Sequence, residues 1–215
     1  MISRWLRILL WVVAFGLVLN LWLGGDHEPE EFELEIDDAA VVEYRVDLQK
    51  SENLEPEGKI LYYDMILEEE ADREGLKESV KAFTVDIVEE EERGAFNSLT
   101  VDIFDDELYR ERTGPTLGRA VFAPEGNVDF ADTISPGSYQ DMEFSWDLLN
   151  KDWEQRPSDL QKEIWAYWQD REEEQEEMTE NEIDMLVADE YDISPEEVAD
   201  IREDVLRWQL MDVRD

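Results

Sequence analysis

The sequence predicts an α+β protein with one N-terminal transmembrane helix, a mainly antiparallel sheet covered by one helix, and a C-terminal three-helix module. Three observations support this. An apolar run opens the chain, apolar residues alternate repeatedly with polar ones between residues 32 and 148, and the composition then changes to helix formers. We therefore predict an anchor at 1–25, an acidic linker at 26–31, an α+β domain at 32–148 and a helical module at 149–215.

Residues 5–23 have the length and composition of a membrane span, since a bilayer requires about 20 largely apolar residues. Arg4 and Arg7 precede this run and acids follow it, so the positive-inside rule places the N-terminus in the cytoplasm. Bulky residues beside the only small ones favour an uncleaved anchor over a cleaved signal peptide. We expect a single-pass protein of the cell membrane with an extracytoplasmic body.

The body begins with alternating segments. Phe32, Leu34 and Ile36 alternate with acids, and residues 42–48 repeat the pattern, which predicts two half-buried strands with a bend at 37–38. The order of strands in the sheet is left open. Further strands are predicted at 59–67, 97–105, 117–124, 127–134 and 142–146.

A helix is predicted between the second and third groups of strands. Apolar residues at Leu76, Val80, Phe83 and Ile87 follow steps of four, three and four, the spacing of one helical face. It begins near Asp72 and ends within the glutamates at 89–92. This helix covers one face of the sheet.

Capping chemistry marks three helix starts in the C-terminal module. Ser158 and Thr179 each lie three residues before a Gln or Glu, as in a capping box, and Ser194 precedes a proline at the first helical position. The helices are expected to pack through three apolar stripes: Ile164, Trp165 and Trp168; Ile183, Leu186 and Val187; and Val198, Ile201, Val205 and Trp208.

Charge is the most extreme property of the composition. Asp and Glu number 59 against 19 Lys and Arg, for a net charge of −40. We expect no nucleic-acid binding, because such binding depends on cationic side chains that displace counterions from the phosphates. Molar salt reduces the screening length to ~3 Å and so relieves the self-repulsion of a compact acidic chain. Thirteen of the 19 cations are arginines, a balance that resembles proteins of extreme halophiles.

Two residue types limit the chemistry. Cysteine is absent, so the chain has no disulfide, thiol nucleophile or lipid-modified cysteine. The single histidine, His27, lies in the acidic stretch after the apolar run, where a solvated linker residue is favoured over a catalytic or metal-binding one.

Residues 97–105, followed by Gly118-Arg-Ala-Val-Phe-Ala-Pro-Glu-Gly126, resemble a prokaryotic family of membrane-anchored or secreted domains of unknown function. In that family a strand ending in acids leads to a G-x-A-x-x-A-P-x-G strand and turn. The resemblance covers about residues 40–146, and residues 191–198 are similar to helical endings seen with it. It implies a domain boundary and no known activity, cofactor or site residue.

Two segments are candidates for binding a cation or a phosphate group. Asp102, Asp105, Asp106 and Glu107 could converge on a hard cation such as Ca²⁺, but their spacing matches no calcium loop, and a solvated surface is favoured. Residues 114–118 contain two glycines without the lysine of a phosphate loop, which indicates a turn. The sequence therefore assigns no catalytic, cofactor-binding or metal-binding residue.

An aromatic stretch crosses the junction between sheet and helices: Trp146, Trp153, Trp165, Tyr167 and Trp168. Packing of the helical module onto the domain is the favoured interpretation, since each ring buries ~150–250 Å². A docking groove for a protein partner is the alternative.

The leading hypothesis is a non-enzymatic, salt-adapted binding or interaction domain tethered to the membrane through residues 5–23. A structural envelope component is the first alternative, and a carboxylate- or divalent-cation-dependent hydrolase is the second. A deep pocket with a carboxylate of raised pKa would favour the enzyme, and an exposed aromatic patch would favour partner binding.

Overall fold

A five-stranded mixed sheet, with its strands in sequential order, organises the α+β fold. The computed structural model describes residues 32–54, 58–90, 95–175 and 177–213. Three of the four strand pairings are antiparallel, and β2 and β3 run parallel. The strands are β1 (Tyr44–Leu54), β2 (Gly58–Leu67), β3 (Ser98–Phe104), β4 (Gly118–Pro124) and β5 (Met142–Leu148).

The parallel pair is joined by the predicted helix, α1 (Arg73–Glu89), because parallel neighbours need a crossover connection. Asp72 caps it by accepting a hydrogen bond from the Gly75 amide at 2.8 Å. The predicted apolar stripe is buried, and the Phe83 ring lies 4.9 Å from that of Tyr63 on β2. The helix therefore covers the sheet face to which Tyr63 belongs.

The predicted strand at Phe32–Ile36 is wrong. These residues alternate in exposure as expected, but residues 32–37 form no strand. The backbone runs beside α1 instead: the Asp37 amide donates to Glu78 Oε2 at 2.8 Å, and the Val42 amide donates to Ser79 Oγ at 3.1 Å. Alternation of apolar and polar residues indicates that every second side chain of an extended segment is buried. It does not indicate whether a strand or a helix covers those side chains.

The predicted strand at 127–134 is also wrong, since Val128–Thr133 is a 3₁₀ helix. Asn127 caps it by accepting from the Asp129 amide at 3.0 Å, a local bond that competes with strand pairing. Only Ala131 is buried within it. The segment packs against β2, β3 and β4.

Two features of the β3–β5 region escaped prediction. A short helix, α2 (Glu107–Arg110), follows β3 and is capped by Asp106. Gly118 has a φ of +121°, and a Cβ there would collide with the carbonyl oxygen of Asp147, so only glycine fits this close approach to β5.

The three C-terminal helices are confirmed with their caps: α3 (Asp159–Glu174), α4 (Glu180–Tyr191) and α5 (Pro195–Leu210). Ser158 and Thr179 form complete capping boxes, and Ser194 precedes Pro195 as predicted. The apolar stripes are buried with one exception: Leu186 is 42% exposed.

The helical module shares a hydrophobic core with the sheet. Ile66 of β2, Phe104 of β3 and Tyr109 of α2 belong to the same buried cluster as the three helices. Side chains alternate across a strand, so Ile66 lies on the face opposite Tyr63 and α1. The predicted division at 148/149 stays a prediction. The predicted anchor at 1–25 and linker at 26–31 lie outside the described residues.

Candidate functional site

A row of ionisable residues crosses the sheet on the face opposite α1. Strand register pairs Asp47 with Asp64, Asp64 with Asp102, Asp102 with Arg119, and Arg119 with Asp147. One residue comes from each strand. Like charges directly opposite one another on neighbouring strands destabilise a sheet. Asp47 and Asp102 each pair with an arginine, and Asp64 is the buried aspartate between them.

A cavity of about 440 Å³ lies over the middle of this row. We call it the sheet cavity. A bulge in β1 between Leu48 and Lys50 brings Gln49 to its edge, and the loop after α2 completes the wall. Its lining residues are Gln49, Lys50, Tyr62, Tyr63, Asp64, Thr100, Asp102, Phe104, Arg110, Thr113, Gly114, Pro115 and Arg119.

The flanking charges of the cavity are paired with each other. Arg119 binds Asp102 through two nitrogens, with Nη2 to Oδ2 at 2.8 Å. Arg110 pairs with Asp47 and with Glu107. The Lys50 ammonium lies 4.3 Å from the centre of the Tyr62 ring and also contacts a glutamate on its own strand.

Asp64 is the poorly compensated member of the row. It is only 4% exposed, and its Oδ2 accepts one hydrogen bond from Gln49, while the Arg110 Nε lies 3.9 Å away. Burial raises the pKa of Asp64, and the negative charges of Asp102 and Asp47 raise it further, against the opposing effects of Gln49 and Arg110. The fold therefore holds this carboxylate at an electrostatic cost.

Thr100 adds an unused polar group to the cavity. It lies on β3 opposite Tyr62 and is only 5% exposed. Thr100 lines the cavity, and no hydrogen bond joins its hydroxyl to the described residues. The cavity wall thus carries a hydroxyl donor and acceptor without a partner among the residues placed.

The acids singled out in the sequence do not converge. Asp102 faces Arg119, Asp106 caps α2 and pairs with Lys162, and Glu107 pairs with Arg45 and Arg110. Within the described ranges, no group of three acidic or histidine side chains is placed to hold a metal ion. The interpretation as solvated surface is wrong for Asp105, which is 2% exposed.

Asp105 instead joins the sheet to the helices. Its Oδ1 accepts from Thr116 Oγ1 at 2.5 Å, and its Oδ2 accepts from Arg156 Nε at 3.1 Å and Trp208 Nε1 at 3.0 Å. We call these four residues the Asp105 hub. Nearby, the buried Lys151 ammonium donates to the Trp208 carbonyl at 2.5 Å and the Gln209 carbonyl at 3.1 Å at the end of α5.

The aromatic stretch is largely internal. Trp165 and Trp168 are buried among the C-terminal helices, and half-buried Trp153 packs on Trp208 with ring centres 5.4 Å apart. Trp146 is half-buried on β5 and stacks on Phe144 at 4.6 Å. These positions support the packing interpretation for most of the stretch.

Sequence reasoning missed the sheet cavity. Asp64 stood inside an apolar strand and Thr100 inside another, and their spacing along the chain carries no motif. An aspartate within a buried strand was the available signal, because a charged residue is rarely fully buried without a partner. The loop at 114–118 contains no regular structure before β4, and Gly114 and Pro115 line the cavity.

Comparison with known proteins supplies no function for the chain. Among the described residues, no helix combines the length and apolarity needed to cross a bilayer. The resemblance to a prokaryotic domain of unknown function stays a prediction. No protein-family model, curated protein or solved structure matches the chain.

Proposed function

We propose that this chain is a salt-adapted, membrane-tethered binding protein whose sheet cavity holds a small polar ligand outside the cytoplasm. One observation carries the proposal: Asp64 is buried in an open cavity with a single hydrogen bond from a side chain and a raised pKa. Groups held at an electrostatic cost in a concave site are typical of ligand binding. The cavity volume is within the range of small-molecule sites.

The burial of the tryptophans favours ligand binding in the sheet cavity over docking of a protein partner on the aromatic residues. Trp165, Trp168 and Trp208 are buried in the helical core and offer no surface to a partner. The sheet cavity, in contrast, is open and lined by groups from β1 to β4 and the loop after α2.

Fluorine NMR tests for a ligand directly. The full chain, labelled with fluorotyrosine and held in detergent at molar KCl, is titrated with neutral, cationic and anionic small solutes. The Tyr62 signal, identified with Tyr62→Phe, should shift with at least one class, while Tyr139, which packs on Phe96 away from the cavity, should not. An unmoved Tyr62 signal across all classes contradicts the binding proposal.

The tether is tested separately by fractionation. The intact chain should remain with the membrane after lysis at molar salt, and a protease added outside intact cells should cleave the body. Recovery of the chain in the aqueous fraction, with its original N-terminus still attached, would contradict the proposed topology.

A carboxylate-dependent hydrolase is the second candidate, favoured by the raised pKa of Asp64 beside Asp102. A carboxyl with a raised pKa next to an ionised one can divide the roles of acid and base. Turnover of a panel of nitrophenyl glycosides and esters that disappears in Asp64→Asn, and survives in Asp132→Asn, would support it. Equal rates in both variants would count against it.

A further inference from the structure

We propose that the sheet cavity takes a neutral, hydroxyl-rich small molecule of the sugar or polyol class. This inference rests on the proposed binding function and specifies its ligand. Three properties of the cavity lead to it: its cationic side chains are already paired with carboxylates, its unused hydrogen-bonding groups suit hydroxyls, and its walls include apolar surface.

The pairing of charges argues against a charged ligand. Arg119 is held by Asp102 through two contacts, and Arg110 by Asp47 and Glu107. An anion would have to compete with these carboxylates and approach Asp64. A cation attracted by Asp64 would have to enter among Lys50, Arg110 and Arg119, which line the same cavity and are held there by their carboxylate partners.

The unused hydrogen-bonding capacity is that of two groups. The Thr100 hydroxyl can donate and accept, and it has no partner among the described residues. Asp64 accepts from Gln49 through Oδ2, while Oδ1 receives no hydrogen bond from the described part of the chain. A ligand hydroxyl both donates and accepts, so one such group can bond to Asp64 and a neighbouring one to Thr100.

Apolar surface completes the fit. Tyr62, Phe104 and Pro115 line the cavity between the polar groups. Sugars and polyols present C–H surface between their hydroxyls, and a pocket with apolar walls and a few placed polar groups is the usual solution for binding such molecules.

Salt strengthens the distinction between ligand classes. At molar ionic strength the screening length is ~3 Å, so attraction between a protein charge and a mobile charged ligand is largely lost. Hydrogen bonds between neutral hydroxyls and buried groups do not depend on that attraction. A chain adapted to brine keeps such a site functional where an ionic site weakens.

The test uses the full chain in detergent with D-glucose, D-galactose and glycerol as neutral probes, and glucosamine and glucuronate as charged analogues of the same size. Binding is followed through the fluorotyrosine signal of Tyr62 and by calorimetry. A neutral sugar should bind at least about tenfold more tightly than either charged analogue, because a buried polar site rejects a group it cannot pair. Its affinity should change less than about twofold between 0.5 and 3 M KCl.

Thr100→Val removes the hydroxyl while keeping the shape, and it should weaken the neutral sugar about three- to tenfold, the value of one neutral hydrogen bond. Thr133→Val, on the exposed 3₁₀ segment, is the matched control and should leave binding unchanged. Equal binding by Thr100→Val and the control would overturn the assignment of the site.

Two negative results are distinguishable. Tighter binding of glucosamine or glucuronate than of every neutral probe overturns the ligand class and leaves the binding function standing. Absence of any response at Tyr62 to all five probes overturns the ligand class as well, and a further absence of response to the wider solute panel overturns the binding function itself.

Discussion

The chain buries two aspartates in opposite ways, one on β2 and one directly after β3. Asp105, after β3, is 2% exposed and accepts hydrogen bonds from three side chains of the Asp105 hub. Asp64, on β2, is 4% exposed and accepts one, from Gln49. Burial of a carboxylate stabilises a fold only when donors replace the lost water. Asp105 therefore stabilises the fold, whereas Asp64 keeps an oxygen that accepts no hydrogen bond from the described residues.

The largest expected effect comes from breaking the hub. Asp105→Ala leaves the Thr116 hydroxyl, Arg156 Nε and the Trp208 indole without their acceptor, and it should lower the free energy of unfolding by about 3–5 kcal/mol, the usual cost of breaking a buried ion pair by removing one partner. Denaturant unfolding at molar KCl measures it. The exposed Asp132→Ala should change stability by less than about 0.5 kcal/mol. A loss in Asp105→Ala as small as in that control would remove the structural role of the hub.

Two buried threonines provide a matched pair. Thr116→Val removes a hydroxyl that bonds both the Asp105 carboxylate and the Asp105 amide, and should cost about 1–3 kcal/mol. Thr100→Val removes a hydroxyl without a described partner, and should be neutral or slightly stabilising in the absence of ligand. The same unfolding assay compares both. Equal losses would show that the sheet cavity is as much part of the fold as the hub.

Lys151 should make the free energy of unfolding depend on pH. Burial lowers the pKa of Lys151 to about 8, with Asp105 and Asp212 partly opposing the shift. An unfolded lysine has a pKa near 10.4, so between pH 8 and 10.4 the unfolded chain binds more protons and stability rises with pH. Relative to Lys151→Met, the wild type should gain on the order of 1–2 kcal/mol between pH 7 and 10. A constant difference over that range would contradict the lowered pKa.

The smallest expected effect has the opposite sign. The raised pKa of Asp64 means that the folded chain binds its proton more tightly than the unfolded chain, so ionisation reduces stability as pH rises from the unfolded value near 3.9 through the folded one. Asp64→Asn should equal the wild type near pH 3 and be more stable at pH 7. Thermal unfolding at both pH values checks it, and a less stable Asp64→Asn at pH 7 would place Asp64 with Asp105 as a structural carboxylate.

Local chemistry made several elements predictable. The caps at Ser158, Thr179 and Ser194 define three helices because a side-chain oxygen satisfies amides that the helix leaves unpaired. The alternation at 32–36 misled because it reports which residues are buried and not what covers them, and the Asp37 amide that follows bonds to Glu78 of α1. The strand predicted at 127–134 is replaced by a capped 3₁₀ segment.

The α+β class, the starts of the long helices and most of the apolar stripes are predictable from the sequence, because these follow from interactions between residues close along the chain. The row of Asp47, Asp64, Asp102, Arg119 and Asp147 emerges only in the folded protein, since strand register is set by pairing between distant segments. The folded structure also surrounds Asp105, and not Asp64, with several hydrogen-bond donors. That difference depends on Thr116, Arg156 and Trp208 meeting Asp105 from three separate parts of the chain.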